Sequence, residues 1–220
     1  MKPEAITLFK EDIISLGEMV ARSVSEMARL LRKEDDASLD LIENQEKSIN
    51  KSYQDVEEKC LDLLLEKDSL SAKEIRTLVV GTIIAAKLER LADHANRVAR
   101  IASWAKQDEI DVPSELPEMA ESIHKMMQDV LLSFLTESSE KIQAILQRDS
   151  EINYLDAVLS KKLLDYLGSQ SSEKAHMTAQ FLFCTRFLER MGDLCASVAK
   201  RTYFIVTGSR VKPAAQNIVS

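Results

Sequence analysis

The segment LERLADHANRVAR, Leu88 to Arg100, returns a hundred residues later as LERMGDLCASVAK, Leu188 to Lys200, with no gap and with Leu, Glu, Arg, Asp, Val and Ala shared at equivalent positions. A second pair, NQEKSIN (Asn44 to Asn50) and QRDSEIN (Gln147 to Asn153), is offset by 103 and stands in the same order within each half. Two elements repeated in one order mark an internal duplication rather than a coincidence of composition. Whatever fold one half adopts, the other is expected to adopt again.

The period inside these segments is helical. Apolar residues follow one another at spacings of three and four along Ile6, Phe9, Ile13, Leu16 and Val20, along Ile84, Leu88, Leu91, Ala95 and Val98, and along Phe181, Cys184, Leu188, Met191, Cys195 and Val198. That spacing places each set on one face of a helix, the pattern of antiparallel bundle packing. Only 5 Gly and 4 Pro occur in 220 residues, too few turn residues for a sandwich, a barrel or a doubly wound sheet. An all-α protein is expected, with 45% hydrophobic residues to fill its core.

Proline divides the chain. The only interior prolines are Pro113 and Pro117, and an interior proline costs a helix about 3 kcal/mol. Val112 to Pro117 therefore reads as a linker between a first repeat, 1–111, and a second, 118–209, with a tail at 210–220. Weaker breaks at Glu34–Ser38, Lys67–Ser71, Glu137–Ser139 and Gly168–Ser172 give three helices per half. The expected architecture is two tandem three-helix bundles.

Charge and cysteine usage exclude several functions. With 29 Lys and Arg against 36 Asp and Glu the formal net charge is −7, the wrong sign for general binding to nucleic acid or an anionic membrane. Cys60, Cys184 and Cys195 form no CxxC pair or disulfide framework and read as reduced thiols of a cytoplasmic protein. The longest apolar run, Leu78 to Ala86, is too short to cross a membrane, and the charged start MKPEAITLFKEDI does not fit a signal peptide. No P-loop, GxGxxG, GxSxG or HExxH occurs, so nucleotide, dinucleotide, serine-hydrolase and zincin chemistries lose their usual sequence support.

The acids carry the chemistry. Glu89 with Asp93, and Glu189 with Asp193, are each four apart, so two like charges share a helix face and ask for a cation between them. Arg90, Arg97 or solvent can answer for one such pair; two copies in one register favour a common purpose. Glu46 stands on the apolar seam Leu39, Ile42, Glu46, Ile49, Tyr53, Val56, and Asp149 repeats it between Ile145 and Ile152. A carboxylate on a core face should be paired, protonated or bound to a metal. Counting outward from the hairpin turns puts Glu46 level with Asp93, Asn50 with Glu89, Asp149 with Asp193, and Asn153 with Glu189. Each half thus gathers three acids and an amide, an all-oxygen set suited to hard or borderline metal ions; a lysine or arginine from the first helix could also satisfy it.

Two rivals stand beside the metal-site reading. Glu121-x-x-His124 and Glu173-x-x-His176 match the Glu-x-x-His element of carboxylate-bridged di-iron bundle oxidases, although the first half has no equivalent and acids in a first turn also follow from the helix dipole. His94, directly after Asp93, reads as a supporting residue before a ligand. A metal-free helical module with solvated acids is the third reading. Met19, Met27, Met119, Met126 and Met127 read as core or interface filler, and Trp104 as packing near the end of the third helix.

The doubled LER-x-x-D segments resemble those of the PhoU family of phosphate-uptake regulators, whose hallmark is a twice-repeated Glu(Asp)-x-x-x-Asp in a stretch like LERIGDHAxNIA. LERLADHANRVA, Leu88 to Ala99, is similar to it through Asp93, His94 and Ala95, and LERMGDLCASVA, Leu188 to Ala199, is the more diverged copy. Upstream, Ile49-Asn50 and Ile152-Asn153, with Glu46 and Asp149 three residues ahead of each Ile, match the family's acid before an Ile-Asp pair. The resemblance runs from about residue 5 to about residue 208.

That resemblance implies two three-helix bundles related by a pseudo-twofold, and no enzymatic activity. It implies multinuclear clusters of iron or another divalent transition metal, held by Glu89, Asp93, Glu189 and Asp193 with Glu46 and Asp149 as further ligands and Asn50 and Asn153 after them. It also implies negative regulation of phosphate uptake and of the transcriptional response to phosphate starvation, through a phosphate ABC transporter and a membrane sensor histidine kinase. Membrane contact would come only through those partners, and a homodimer is the expected assembly. A relative serving another transporter, such as a sodium-coupled phosphate carrier, is the metal-free variant of this reading. The sequence departs from the family at Arg97 and Ser197, where an Asn is usual, at Leu194 in place of His, and at Asn50 and Asn153 in place of Asp, which removes one negative charge from each site.

Overall fold

The computed structural model describes residues 3–65, 70–167 and 172–211. They form six helices and no strand: α1 (Pro3–Leu31), α2 (Leu39–Leu65), α3 (Ala72–Gln107), α4 (Glu115–Leu135), α5 (Ile142–Leu167) and α6 (Ser172–Thr207). Pro3 occupies the first position of α1, where its missing N–H costs nothing. Ser71 opens α3 with a reciprocal capping box, its Oγ accepting from the Glu74 N–H while the Glu74 carboxylate accepts from the Ser71 N–H at 2.8 Å.

Three helices stop in the same way without glycine. Lys33, Glu109 and Glu137 take positive φ just past α1, α3 and α4. In each case the next residue's N–H reaches back five positions, Glu34 to the Arg29 carbonyl, Ile110 to Ala105 and Ser138 to Ser133. This left-handed turn satisfies carbonyls the helix end would leave open. The segment joining the halves runs over 108–114, and Pro117 lies inside the first turn of α4, again a place where a proline needs no N–H partner. Residues 67–69 of the expected break at Lys67–Ser71 and 168–171 of that at Gly168–Ser172 lie outside the described residues, as do Pro213 and the tail beyond Val211.

The predicted seams are the core. Phe9, Ile13, Leu16 and Val20 of α1, Ile84, Leu88, Leu91, Ala95 and Val98 of α3, and Phe181, Cys184, Leu188, Met191, Cys195 and Val198 of α6 are all buried. Each fully buried Leu, Ile or Phe contributes about 1.5–3 kcal/mol relative to an exposed one. Helices α1, α2 and α3 pack on one another, as do α4, α5 and α6, giving two three-helix lobes. The lobes meet through α1 on α4 and α3 on α6, so these four helices form the centre and α2 and α5 flank it.

Both central contacts are antiparallel. Arg76, early in α3, donates to the Ile205 carbonyl late in α6, while Arg97, late in α3, lies over the Phe187 ring early in α6. Lys10 pairs with Glu137 at one end of the α1–α4 contact and Arg32 with Glu121 at the other. The three cysteines are buried and unpaired. Among the described residues no helix is long and apolar enough to cross a membrane.

Candidate functional site

In the first lobe the acids come from α2 and α3. Ile42, Ile49 and Val56 are buried, and this places Glu46 on the same stripe, half-buried against α3. Its partner there is Asn96, whose Nδ2 donates a short hydrogen bond to Glu46 Oε2. The charge of Glu46 also reaches Glu89, on the other side of Asp93 from Asn96. Asn96 in turn accepts from Arg100 Nε at 3.3 Å, and Arg100 pairs with Glu43 at 3.0 Å. The Glu89 carboxyl is pushed above the usual carboxylate range, first by burial and then by the charges of Asp93 and Glu46. Asn50 is half-buried on α2.

The second lobe leaves more charge unmet. Burial, then Asp193 and Glu189, push the Asp149 carboxyl up to about 6. Asp149 Oδ1 is buried with no hydrogen-bond partner among the described residues. Glu189 is raised by burial, by Asp193 and by Asp156. Asp149 therefore meets Asp193 as the register predicts. Glu189, however, feels Asp156, one turn along α5 from Asn153, which is exposed. The reason lies in the seam: Ile145, Asp149, Ile152, Asp156, Leu159 is an unbroken run of alternating four and three, and Asn153 lies beside it.

Asp156 was missed by the sequence reading, although its place between Ile152 and Leu159 was the same signal that singled out Asp149. It is buried, pairs with Arg186 at 2.9 Å and accepts from Ser160 Oγ at 3.3 Å. Its counterpart in the first lobe by the same offset is Tyr53, whose hydroxyl donates to Glu57 at 2.6 Å. That hydrogen bond, with burial and the charges of Glu57 and Glu89, pushes the phenol up to about 12. Asn96 was the other omission; its burial so close to Asp93 shows only once α2 and α3 are docked.

Whether these residues suit a cation divides by lobe. The chemistry of the donors fits: oxygen atoms only, with Glu89, Asp149 and Glu189 raised by burial and then by neighbouring acids, and in the second lobe an orphaned buried oxygen. Among the described residues no three acidic, histidine or cysteine side chains stand close enough together to enclose a metal ion as they are oriented. Ligation would need carboxylates to rotate. In the first lobe Glu46 would also have to leave Asn96. The second-lobe set, Asp149, Glu189 and Asp193, is the better fit.

Of the histidines, His94 directly follows Asp93 on α3. His94 is buried and stacks on Phe187 at 5.6 Å between ring centroids. Burial and the charges of Arg97, Arg190 and Arg90 hold it down to about 4, so it is neutral, and its Nδ1 has no partner among the described residues. His124 lies 3.2 Å from the Gln128 amide, Glu121 is engaged by Arg32 and Lys125, and His176 is exposed. The side chain of Glu173 is outside the described residues.

The family described as PhoU domain matches the chain twice, over residues 13–102 and 116–202. The chain belongs to the PhoU family. The two matches coincide with the two lobes, so the duplication in the sequence is the family's own repeat. A relative from Clostridium acetobutylicum, the phosphate-specific transport system accessory protein PhoU homolog, is 25% identical over 201 residues, 91% of either chain. The phosphate-specific transport system accessory protein PhoU of Escherichia coli is 22% identical over 90% of this chain and 82% of its own.

Solved PhoU structures share the fold. The crystal structure of PhoU from Pseudomonas aeruginosa superposes with a TM-score of 0.87 at 19% identity, over 95% of this chain and 100% of the other. The PhoU regulatory protein of Streptococcus pneumoniae gives 0.82 at 24% identity, over 94% and 97%.

Proposed function

We propose that this protein is a non-enzymatic, cation-binding regulator of phosphate uptake that acts by docking to a phosphate transport system and to the sensor kinase that reads phosphate status. Its relatives along nearly the whole chain are named phosphate-specific transport system accessory proteins, which supports the phosphate half of this reading. The observation that carries the cation half is the unmet charge around Asp149, a buried carboxyl oxygen without a partner beside Asp193 and Glu189.

In the second lobe Asp149 from α5 and Glu189 and Asp193 from α6 would hold the ion; in the first, Glu89 and Asp93 from α3 with Glu46 from α2. A bound divalent or trivalent metal, iron or another transition metal, would supply positive charge that cancels the carboxylate repulsion. The chain's own residues do the rest: the apolar seams fix the height of the acids, Arg186 pairs with Asp156, and Asn96 orients Glu46. Cation occupancy would then set how closely the outer helices α2 and α5 lie against the centre, and so the surface offered to partners.

Two measurements test this. Elemental analysis of gently purified protein, with titration by iron, zinc, manganese and magnesium, should show binding that raises the melting temperature and is lost on chelation. The Asp149→Asn, Asp193→Asn variant should lose the second lobe's share of it. Cells lacking the gene should take up phosphate or express starvation genes without restraint, and the wild-type gene should restore control. Folded wild-type protein that binds none of these metals overturns the cation half; unchanged phosphate physiology overturns the regulatory half.

A further inference from the structure

The duplication makes Arg90 of α3 and Arg190 of α6 equivalent, and the antiparallel α3–α6 contact brings them to one place. They line a single cavity of about 370 Å³ at the seam between the lobes, together with Lys87, His94, Asp193, Leu194 and Ser197. A second cavity of about 280 Å³ shares Ser197 and continues past Lys200, Arg201 and Arg210. In a chain of net charge −7 this is a local reversal of sign.

The cations there have no ion-pair partner within reach among the described residues, although Lys200 acts at longer range on Asp149, Arg90 on Glu89 and Arg190 on Glu189. Several arginines elsewhere are held by acids, Arg29 by Glu26 and Glu34, Arg148 by Asp129, Arg186 by Asp156. Among the described residues no such ion pair involves Lys87, Arg90, Arg190, Lys200 or Arg201; Asp193 is the one acid on the wall of the larger cavity. Two polar atoms of the wall residues, His94 Nδ1 and Arg201 Nε, are buried with no hydrogen-bond partner among the described residues. Like-charged guanidinium groups facing one cleft, beside the unsatisfied Arg201 Nε–H, are stabilised by an anion that accepts from several of them.

We propose that the α3–α6 seam binds a small phosphate-type oxyanion, clasped by Arg90 and Arg190 from the two repeats, with Lys87 and Arg201 completing the positive wall. The planar fork of each arginine matches phosphate oxygens two at a time. A multiply charged anion suits such a wall better than a single carboxylate, and the cavity is of small-ligand size. Free inorganic phosphates and the phosphate groups of a nucleotide share this chemistry. The site lies at the joint between the lobes, so its occupancy would bear on how they sit together. The cleft shares Asp193 with the second-lobe cation reading, but its arginines rather than that acid carry the proposal.

The test is calorimetric titration of the full-length, chelator-treated protein at low salt with inorganic phosphate, pyrophosphate and ATP, and with chloride as the reference anion. Chelation removes binding bridged by a metal, so failure here and failure of the carboxylate sites are distinguishable. Binding that weakens as salt rises is expected, reduced at least about tenfold in Arg90→Ala and in Arg190→Ala and unchanged in Lys125→Ala, an exposed lysine of α4. Tighter pyrophosphate than ATP assigns free phosphates as the ligand, and the reverse assigns a nucleotide. Arg90→Lys, which keeps the charge and loses the fork, should fall between and guards against a folding defect in the alanine variants. No heat with any of the three phosphates, or binding undiminished in a folded Arg90→Ala, Arg190→Ala protein, overturns the proposal.

Discussion

Asp149 and Gly192 touch across α5 and α6: a Cβ built on Gly192 would lie 3.2 Å from Asp149 Oδ1, the oxygen without a partner, and 3.2 Å from Ile152 Cδ1. The absent side chain at 192 is what gives the Asp149 carboxylate its place beside α6. Gly192→Ala should therefore displace that carboxylate while leaving the fold intact, because the crowded atoms are side-chain ends. The helix gains about 1 kcal/mol from alanine and loses a similar amount to crowding. Expected are a melting temperature near wild type and weakened metal affinity; wild-type affinity in the variant would mean that Asp149 is no ligand.

The raised Asp149 carboxyl makes a signed prediction about pH. Burial and its acidic neighbours lift it from 3.8 to about 6 in the folded protein, so between about pH 4 and pH 6 the folded state holds a proton that the unfolded chain has released. Stability from this group is full below that window and falls as pH rises through it. Chelator-treated Asp149→Asn should be more stable than wild type at pH 7 by about 1–3 kcal/mol and equal to it near pH 4, read from urea melts. Added divalent metal should reverse the order at pH 7, since only wild type retains the donor.

Glu137 has the opposite sign. Hydrogen bonds from Lys10 of α1 and Lys73 of α3 hold its carboxyl down to about 2. Its contribution is present above the ordinary carboxylate range and lost as pH falls from about 4.5 to about 2. The group is partly exposed, so screening makes the effect modest, and salt should weaken it. Glu137→Gln should lower the melting temperature at pH 7 by about 2 °C and flatten its decline below pH 5, a difference that shrinks in high salt.

The fold was legible because duplication and helical period agree: two copies of one seam could be read without any knowledge of how helices dock. The acids were legible only to within one turn. A helix rises 1.5 Å per residue, so an error of three residues in placing a hairpin turn moves a side chain by about 5 Å. That is why Asp156, and not the exposed Asn153, faces Glu189. The arginine cleft was out of reach for a different reason. Arg90 and Arg190 stand in plain sight within the repeated LER, yet their meeting depends on how one lobe docks against the other, which no local pattern encodes.

That docking makes its own prediction at Gly17. A Cβ there would overlap Leu131 Cδ2, so α1 and α4 approach as closely as they do only because residue 17 has no side chain. Gly17→Ala should push the two helices apart or force Leu131 off its rotamer, at a cost of about 1–3 kcal/mol, partly offset by alanine's better helix propensity. Leu131→Ala alone should also destabilise, because it empties part of the interface. If the contact is as described the two changes compensate, and the double variant should be more stable than the sum of the singles by about 1 kcal/mol or more. Additive losses in urea melts would mean that α1 and α4 do not meet at this point.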